Sequence, residues 1–401
     1  MARSQRAGMM IDIKRVRADT PACANIIHFN NAGASLVPNP VHSAVVDYLE
    51  LERSIGGYEA HAATQPEHAA LYDNLAKLLG AKPHETAYVE NATRAWDMAF
   101  YAFPFREGDR ILTHGPAEYV SNYLAFLQQA ERRGLVIDHA PSDGSGQVDV
   151  DALERAIKPR TALIAVTHVP TQTGLINPVA DIGAIAKRHG IAFMVDACQS
   201  AGQMPLDVAA IGCDVLSGTG RKFLRGPRGT GFLYVSDAII ERLDPPFIDL
   251  HSARWVAPDA YEFVPGAKRF ENWESFFAGR LGLSAAIDYA LGIGIEAIEA
   301  RVQTLAARLR DELGAVDGVT VADRGARLSA IVTFGKDGEP APALAARLKR
   351  QGINVSVSSL GSARLDFPQR GIESLVRASV HYYNTDAEID RLVEAVAERP
   401  A

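Results

Sequence analysis

The sequence predicts an α/β protein with a mostly parallel central sheet that carries helices on both faces, followed by a smaller α+β domain. From Thr86 onward, short strands alternate with helical segments, a pattern that requires crossover connections between parallel strands. These strands are nearly continuous apolar runs, as in sheets that are covered on both faces. After residue 270 the pattern changes to a long helical region and then a mixture of strands and helices.

The length of the chain sets the domain organisation. A chain of 401 residues is long for a single core and favours two domains. We divide it into an N-terminal segment, 1–30, that packs with the small domain, a large domain, 31–270, and a small C-terminal domain, 271–401. Hydrophobic residues make up 47% and charged residues 22%, which is typical of a folded protein rather than a disordered one.

Charge and cysteine content exclude several classes of protein. The net charge is −7 and no Lys/Arg-rich run occurs, so nucleic acid is not an expected partner. Three cysteines, Cys23, Cys198 and Cys213, have no metal-like spacing, which argues against a metal site and against a disulfide framework. The N-terminus lacks the apolar core of a signal peptide, and no run is long enough to span a membrane. The expected location is the cytoplasm.

The first 85 residues precede the regular α/β pattern. A short strand at 26–29 leads into the turn NNAGAS, and two amphipathic helices are predicted around 41–49 and 71–79. The polar, glycine-containing segment 54–64 between them is predicted to be a loop.

Four blocks then repeat the strand-and-helix pattern: TAYVENATRAWDMAF, DRILTHGPAEYVSNYLAFLQQA, TALIAVTHV and IAFMVDACQS. In such sheets ligands bind at the carboxyl ends of the strands. Functional side chains are therefore expected in the turns after Val89, Thr113, His168 and Val195.

The C-terminal part begins with a helical region at 280–314 that has one apolar stripe. Strands are predicted at GVTVAD, SAIVTFG and SLVRASV, and helices at APALAARLKRQG and DAEIDRLVEAVAE.

The stretch 195–235 contains the clearest pattern of chemical groups. Asp196 ends a buried strand. Lys222 lies in a glycine-containing loop and is flanked by Thr219, Arg221, Arg225 and Arg228. This pattern suggests a pyridoxal phosphate (PLP) site. In such a site a lysine forms a Schiff base with the cofactor, a carboxylate pairs with its pyridinium nitrogen, and polar groups bind its phosphate. Taken singly, a loop lysine is usually a solvated cation, and Asp196 has the alternative role of a helix N-cap.

Other strand ends contribute possible cofactor contacts. Between Glu90 and Arg94, the N–H groups of Ala92 and Thr93 and the side chains of Thr93 and Arg94 form a possible phosphate site, although Thr93 also fits a plain N-cap. Tyr119 follows the next strand and is able to stack on the cofactor ring, or to be a core tyrosine.

Four further polar residues have a possible functional role. Gln199 is a possible contact of the ring oxygen or a helix-surface amide. Thr171 and His168 are possible contacts of that oxygen or of the substrate, although His168 also fits a core histidine. Arg377 lies in an apolar strand, where either a substrate carboxylate or a structural salt bridge would be its partner.

With these blocks in order, the sequence resembles the class V aminotransferase family of fold-type-I PLP enzymes, which includes cysteine desulfurases, isopenicillin N epimerase and C–S lyases. The resemblance rests on DACQSAG with SGTGRKFLRGPRGTGFLYV, and on IIHFNNAGAS, ENATRAWDMAF, IAVTHVPTQTGLINP, KRFENWESFFAGRLG and RASVHYYNTDAEID. It implies a homodimer with shared active sites, to which the block around Trp273–Ser275 reaches from the partner subunit.

The resemblance also implies roles for individual residues. Lys222 would form the Schiff base, Asp196 would pair with the pyridinium nitrogen and Tyr119 would stack on the ring. Gln199 would contact the ring oxygen, and the phosphate would be bound by Thr93, Thr219 and Arg221. Asn31 and Ala32 would belong to the loop that lines the substrate pocket. Arg377 would anchor the substrate carboxylate.

One departure from the family narrows the expected reaction. A desulfurase that forms a persulfide needs a nucleophilic cysteine before the last arginine strand, and the segment 354–371 contains none. Thr171 also stands where desulfurases usually carry asparagine. We therefore expect an amino acid substrate and a β-elimination or C–S lyase reaction, ahead of transamination and then epimerisation.

Two rival classes fit the sequence less well than a PLP enzyme. A non-catalytic protein with the PLP fold would have no need of Lys222, Asp196 and Arg377 together. A nicotinamide-dependent dehydrogenase needs a GxGxxG turn after an early strand, where this sequence has ENATRA.

Overall fold

The computed structural model describes residues 11–398. The first ten residues of the predicted N-terminal segment, on which the signal-peptide argument largely rests, and the last three residues of the small domain lie outside this range. The strands are β1 Ile27–His28, β2 Thr86–Val89, β3 Arg110–Thr113, β4 Val136–His139, β5 Thr161–Thr167, β6 Ala192–Asp196, β7 Val215–Thr219, β8 Gly231–Val235, β9 Ala253–Ala257, β10 Ala260–Phe263, β11 Val319–Val321, β12 Ile331–Lys336, β13 Ile353–Asn354, β14 Ser356–Ser359 and β15 Ser374–Ser379. The α-helices are α1 Ile13–Ala18, α2 Asn39–Ile55, α3 Gly57–Ala63, α4 Gln65–Leu79, α5 Ala92–Phe100, α6 Val120–Arg133, α7 Val150–Ala156, α8 Val179–His189, α9 Val208–Ile211, α10 Phe277–Ile293, α11 Ile295–Gly314, α12 Ala341–Arg350 and α13 Asp386–Ala397.

The main sheet has seven strands in the order β2-β8-β7-β6-β5-β3-β4. Strands β4, β3, β5, β6 and β7 are parallel to one another, whereas β8 is antiparallel to both β2 and β7. This arrangement confirms the predicted α/β class with a mostly parallel sheet. It also places the ends of β3, β5, β6 and β7 at one edge.

Both faces of this sheet are covered, as the apolar strand runs predict. On β5, Ile164 and Val166 belong to one buried cluster, while Leu163 and Ala165 belong to another on the opposite face. Neighbouring residues of a strand point to opposite faces, so a strand buried on both sides needs apolar residues at every position.

A second sheet contains the strands β11-β12-β15-β14, all antiparallel. The N-terminal strand β1 pairs in parallel with β13, and Asn30 bridges Ser379 at the end of β15. The start of the described chain is therefore hydrogen-bonded to its C-terminal part. The three-part division into domains stays a prediction.

Two local predictions differ from the structure. The segment 54–64, predicted to be a loop, contains α3, because Ala60 is buried beside Tyr48 and Ala278 and packing outweighs the weak local signal. The helical region 280–314 is divided at Gly294 into α10 and α11, which meet at a bend of 79°.

Among residues 11–398, no single helix has both the length and the apolar character that crossing a membrane would require. The bent pair α10 and α11 passes that test together, on length and composition alone.

Candidate active site

A cavity of about 150 Å³ lies at the carboxyl edge of the main sheet. It is lined by Asn91, Ala92, Thr93, Tyr119, Asn122, Asp196, Cys198, Thr219, Arg221 and Lys222. Residues that the sequence predicts for cofactor binding thus come together from four different strand ends. Lys222 and Asp196, 26 residues apart along the chain, line the same cavity.

One wall of the cavity is the start of α5. Asn91 is its N-cap and accepts a hydrogen bond at Oδ1 from the Arg94 N–H at 2.9 Å, which leaves the N–H groups of Ala92 and Thr93 to a ligand. A Cβ on Gly231 of β8 would lie 2.6 Å from the Asn91 carbonyl carbon. Only glycine therefore allows β8 to lie this close to the start of α5. A helix N-terminus in this setting attracts an anion such as a phosphate.

Asp196, at the end of β6, is held by two hydrogen bonds. Asn122 Nδ2 donates to Asp196 Oδ2 at 3.0 Å, and the Cys198 N–H donates to Asp196 Oδ1 at 2.8 Å. The residue is 4% exposed and still lines the cavity, so a carboxylate is fixed in place where a ligand can meet it.

Lys222 enters the cavity from the loop after β7. Burial lowers the pKa of its ammonium group, whereas Cys198 and Asp196 oppose that shift. Its Nζ lies 5.8 Å from the centroid of the Tyr119 ring. A buried lysine with a lowered pKa holds its amine in the neutral form more readily, which is the form that reacts with a carbonyl group or accepts a proton.

A second group of predicted residues does not line this cavity, but its members are joined to one another by hydrogen bonds. Gln199 Nε2 donates to the Ala32 carbonyl oxygen and to Thr171 Oγ1, both at 3.1 Å. Arg377 also donates to Thr171 Oγ1, so this hydroxyl joins the arginine to the glutamine. Asn31 is buried, and its Nδ2 donates to the Ser379 carbonyl oxygen at 2.7 Å.

Arg377 is a buried cation that lacks a carboxylate partner among the described residues. Burial, together with the nearby positive charge of Arg221, lowers its pKa to about 10. Its Nε forms no hydrogen bond within residues 11–398. Since an unpaired buried charge is unfavourable, the site is suited to an anionic ligand such as a carboxylate.

Two arginines of the predicted phosphate site differ in position. Arg221 lines the cavity and also donates to the Gly33 carbonyl oxygen. Arg94 places its guanidinium 4.7 Å from the centroid of the Phe247 ring and does not line the cavity. A phosphate-binding role for Arg94 stays a prediction from the sequence.

Four residues at this site were not among the predicted site residues: Asn91, Glu118, Asn122 and Cys198. Asn122 Nδ2 donates to Glu118 Oε1 at 2.9 Å as well as to Asp196, so the amide bridges two carboxylates. The four-residue spacing of Glu118 and Asn122, at the start of a helix, is a signal that could have indicated this pair. Cys198 carried no comparable signal, since a lone cysteine after a strand is usually a packing residue.

Glu118 is fully buried, and burial raises the pKa of its carboxyl group to about 7. Thr113, Thr167 and the Tyr119 N–H all donate to it. Because the folded pKa lies above the ordinary value of 4.5, its stabilising contribution is full below pH 4.5 and is lost as the pH rises through about 7.

This pH dependence gives a prediction for the Glu118→Gln variant, which cannot titrate. Wild-type stability relative to the variant is expected to be higher at about pH 5 than at about pH 8, by up to about 3 kcal/mol. The measurement is urea unfolding of both apoproteins at the two pH values, in which all other titrating groups are shared and cancel. If the wild type instead became more stable relative to the variant as the pH rose, Glu118 would be ionised in the folded protein.

Comparison with known proteins identifies the family. The family model "Aminotransferase class-V" matches residues 27–392. A protein named "Probable cysteine desulfurase" from Xylella fastidiosa is 33% identical over 96% of this chain and 95% of its own length. The apo structure of the cysteine desulfurase from Thermococcus onnurineus NA1 superimposes with a TM-score of 0.90 at 30% identity, over 97% of this chain and 98% of that one. A mutant of C-DES with glycine covalently linked to its PLP cofactor superimposes with a TM-score of 0.86 at 24% identity, over 95% and 99%.

The fold and the matched length define a fold-type-I PLP enzyme. The chain belongs to the class V aminotransferase family, and pyridoxal phosphate is its cofactor. The residues present fit that cofactor. The cavity offers a buried amine, a fixed carboxylate and a helix N-terminus. Arg377, whose Nε is unpaired, is near enough for its charge to help lower the pKa of Lys222.

Proposed function

We propose that this enzyme cleaves the Cβ–S bond of a cysteine-type amino acid by β-elimination and releases the sulfur group without passing it to a cysteine of the protein. In the overall reaction, a cysteine S-conjugate and water yield a thiol, pyruvate and ammonium. When bound, pyridoxal phosphate supplies the electron sink that stabilises negative charge at the substrate α-carbon.

Lys222, Asp196 and Arg377 carry the main steps of this proposal. Lys222 removes the α-proton, because burial lowers its pKa and favours the neutral amine that a general base requires. Asp196, held by Asn122 and by the Cys198 N–H, keeps a negative charge at the ring nitrogen. Arg377 binds the α-carboxylate, which satisfies its unpaired Nε.

The other site residues hold the cofactor in this proposal. Phosphate contacts come from the N–H groups of Ala92 and Thr93, with the side chains of Thr93, Thr219 and Arg221. Arg94 adds positive charge next to them. Tyr119 contacts the ring, and Gln199 with Thr171 faces the ring oxygen, supported by the Ala32 carbonyl group that Gln199 already binds.

The observation that carries the proposal is the state of the three cysteines. Burial raises the pKa of all three thiols, which disfavours the thiolate that a persulfide-forming nucleophile must provide. Cys198 lines the cavity, but its thiol lies beside the Asp196 carboxylate, which raises its pKa further. The segment 354–371 contains no cysteine at all. Many relatives are named cysteine desulfurases, but in this proposal none of the three thiols accepts the sulfur.

Product analysis with a Cys198→Ala variant tests this proposal. The wild-type enzyme is expected to form pyruvate, ammonium and thiol in equal amounts from a cysteine S-conjugate. The variant should retain its turnover within about threefold, because Cys198 has no covalent role in it. With free cysteine as the substrate, alanine as the product together with a protein-bound persulfide that disappears in the variant would instead establish a desulfurase.

Transamination and epimerisation share the same first proton transfer with β-elimination and differ from it only in the later steps. The same assay distinguishes them, since transamination requires a keto acid and yields no ammonium, and epimerisation only destroys optical purity. If the products were those of transamination or of epimerisation, that reaction would replace β-elimination in the proposal, and the roles of Lys222 and Arg377 would be unchanged.

The predicted homodimer also remains part of this proposal. Large apolar side chains are exposed in and near the hairpin of β9 and β10: Phe247, Leu250, Trp255, Val256 and Tyr261. Exposed apolar patches of this kind mark protein–protein contacts. The family resemblance implies that a second copy of the chain covers this patch. The cytoplasm remains the expected location of the protein.

A further inference from the structure

A second cavity, of about 410 Å³, lies beside the candidate active site. Its walls are the first two turns of α6, the turn after β3 and the loop 361–365. Most of the side chains that line it are apolar, including Val120, Tyr123, Leu124, Leu127 and Leu365. The volume is within the range of about 300–1,000 Å³ found for small-ligand pockets.

This second cavity is next to the first at α6, where Asn122 of the first lining donates a hydrogen bond to Glu118 of the second at 2.9 Å. Tyr119 lines the first cavity, while Glu118 and Val120 on either side of it line the second. Gln172 lines the second cavity, and the preceding Thr171 is the residue to which Arg377 donates. The second cavity is therefore lined by the chain neighbour of the residue that binds Arg377, the proposed contact of the α-carboxylate.

The loop 361–365 belongs to the segment that lacks the cysteine of persulfide-forming relatives. Here the loop contributes Ala363, which is buried, and Leu365, which is half-buried, to the cavity wall. Across the cavity, Leu124 and Leu127 of α6 are 58% and 47% exposed. An apolar group placed between the loop and the helix would bury these leucines, which is favourable in proportion to the apolar area removed from water.

We propose that this cavity binds the sulfur substituent of the substrate, so that the preferred substrates are cysteine S-conjugates with aromatic or branched aliphatic substituents rather than free cysteine. The inference rests on the proposed β-elimination and adds the class of substrate. It follows from the largely apolar lining, the volume and the hydrogen bond between Asn122 and Glu118 that joins the two linings.

The test compares S-benzylcysteine with S-methylcysteine in the holoenzyme. The kcat/KM for the benzyl conjugate is expected to exceed that for the methyl conjugate by about 10- to 100-fold, the factor that burial of a phenyl-sized group supports. The Leu124→Glu variant places a carboxylate in the cavity wall and is expected to remove most of this preference while leaving the methyl conjugate nearly unchanged. Leu49→Glu, a change of an exposed leucine on α2 that does not line the cavity, is the matched control and should keep the preference.

A binding measurement separates this inference from the proposed function. The α-methyl analogues of both conjugates lack the α-proton and cannot be eliminated, so their dissociation constants, read from the change in cofactor absorption, report binding alone. Tighter binding of the benzyl analogue that is lost in Leu124→Glu supports the cavity even if no elimination occurs. Equal kcat/KM and equal dissociation constants for the two conjugates would overturn it, as would a Leu124→Glu variant that changes only the oligomeric state or affects both conjugates alike.

Discussion

The Lys222→Ala variant is expected to lose the visible absorption band of the bound cofactor and to lose turnover by at least about 10³-fold. Lys222 is the lysine that lines the cavity, and burial lowers its pKa toward the neutral amine. Removal of its amine eliminates both the covalent attachment point and the proposed general base. Borohydride reduction of the wild-type holoenzyme should fix the cofactor to the peptide that contains Lys222, as mass spectrometry would detect.

The matched control is Lys187→Ala, which changes an exposed lysine on α8. This variant should keep the absorption band and the turnover of the wild type. Thermal unfolding of both apoproteins checks that neither substitution disrupts the fold. A Lys222→Ala protein that retains the reducible band would assign the attachment to another lysine, and a colourless wild-type protein would favour the non-catalytic alternative.

The Asp196→Asn variant is expected to bind the cofactor but to turn over about 10²–10³-fold more slowly, a loss typical of removing one preorganised electrostatic group. The substitution keeps the shape of the side chain and removes the negative charge that faces the ring nitrogen in the proposed mechanism. It also places an amide nitrogen near Asn122 Nδ2 or the Cys198 N–H, both of which donate to Asp196 in the wild type. The measurement is kcat normalised to bound cofactor.

Asp214→Asn serves as the control for removal of a partly buried carboxylate in the same sheet region. Asp214 accepts a hydrogen bond from the Phe193 N–H at 2.9 Å and does not line the cavity. This variant is expected to lose stability but to keep kcat within about threefold, because its carboxylate lies at the start of β6, away from the carboxyl edge of the sheet. Wild-type kcat in Asp196→Asn would show that the ring nitrogen needs no negative partner here.

Much of the site was predictable because its residues directly follow strands. Ala92, Asp196 and Lys222 each lie within a few residues of a strand end, and parallel strands bring such positions to one edge. Asn122 was missed because it lies inside α6, where its contact with Asp196 depends on how the helix packs against the sheet. Arg94 shows the converse, since its position next to Thr93 in the sequence does not bring its guanidinium to the cavity wall.

The sequence by itself determined the class of fold and the family, because the apolar strand runs and the ordered blocks around Asp196 and Lys222 are local patterns. It also excluded a cysteine from the segment 354–371. Only the tertiary structure decided that Thr171 joins Arg377 to Gln199, and that the loop 361–365 faces α6 across an apolar cavity. The physical reason is that these contacts join residues far apart in the chain, so they depend on packing between elements rather than on spacing within one.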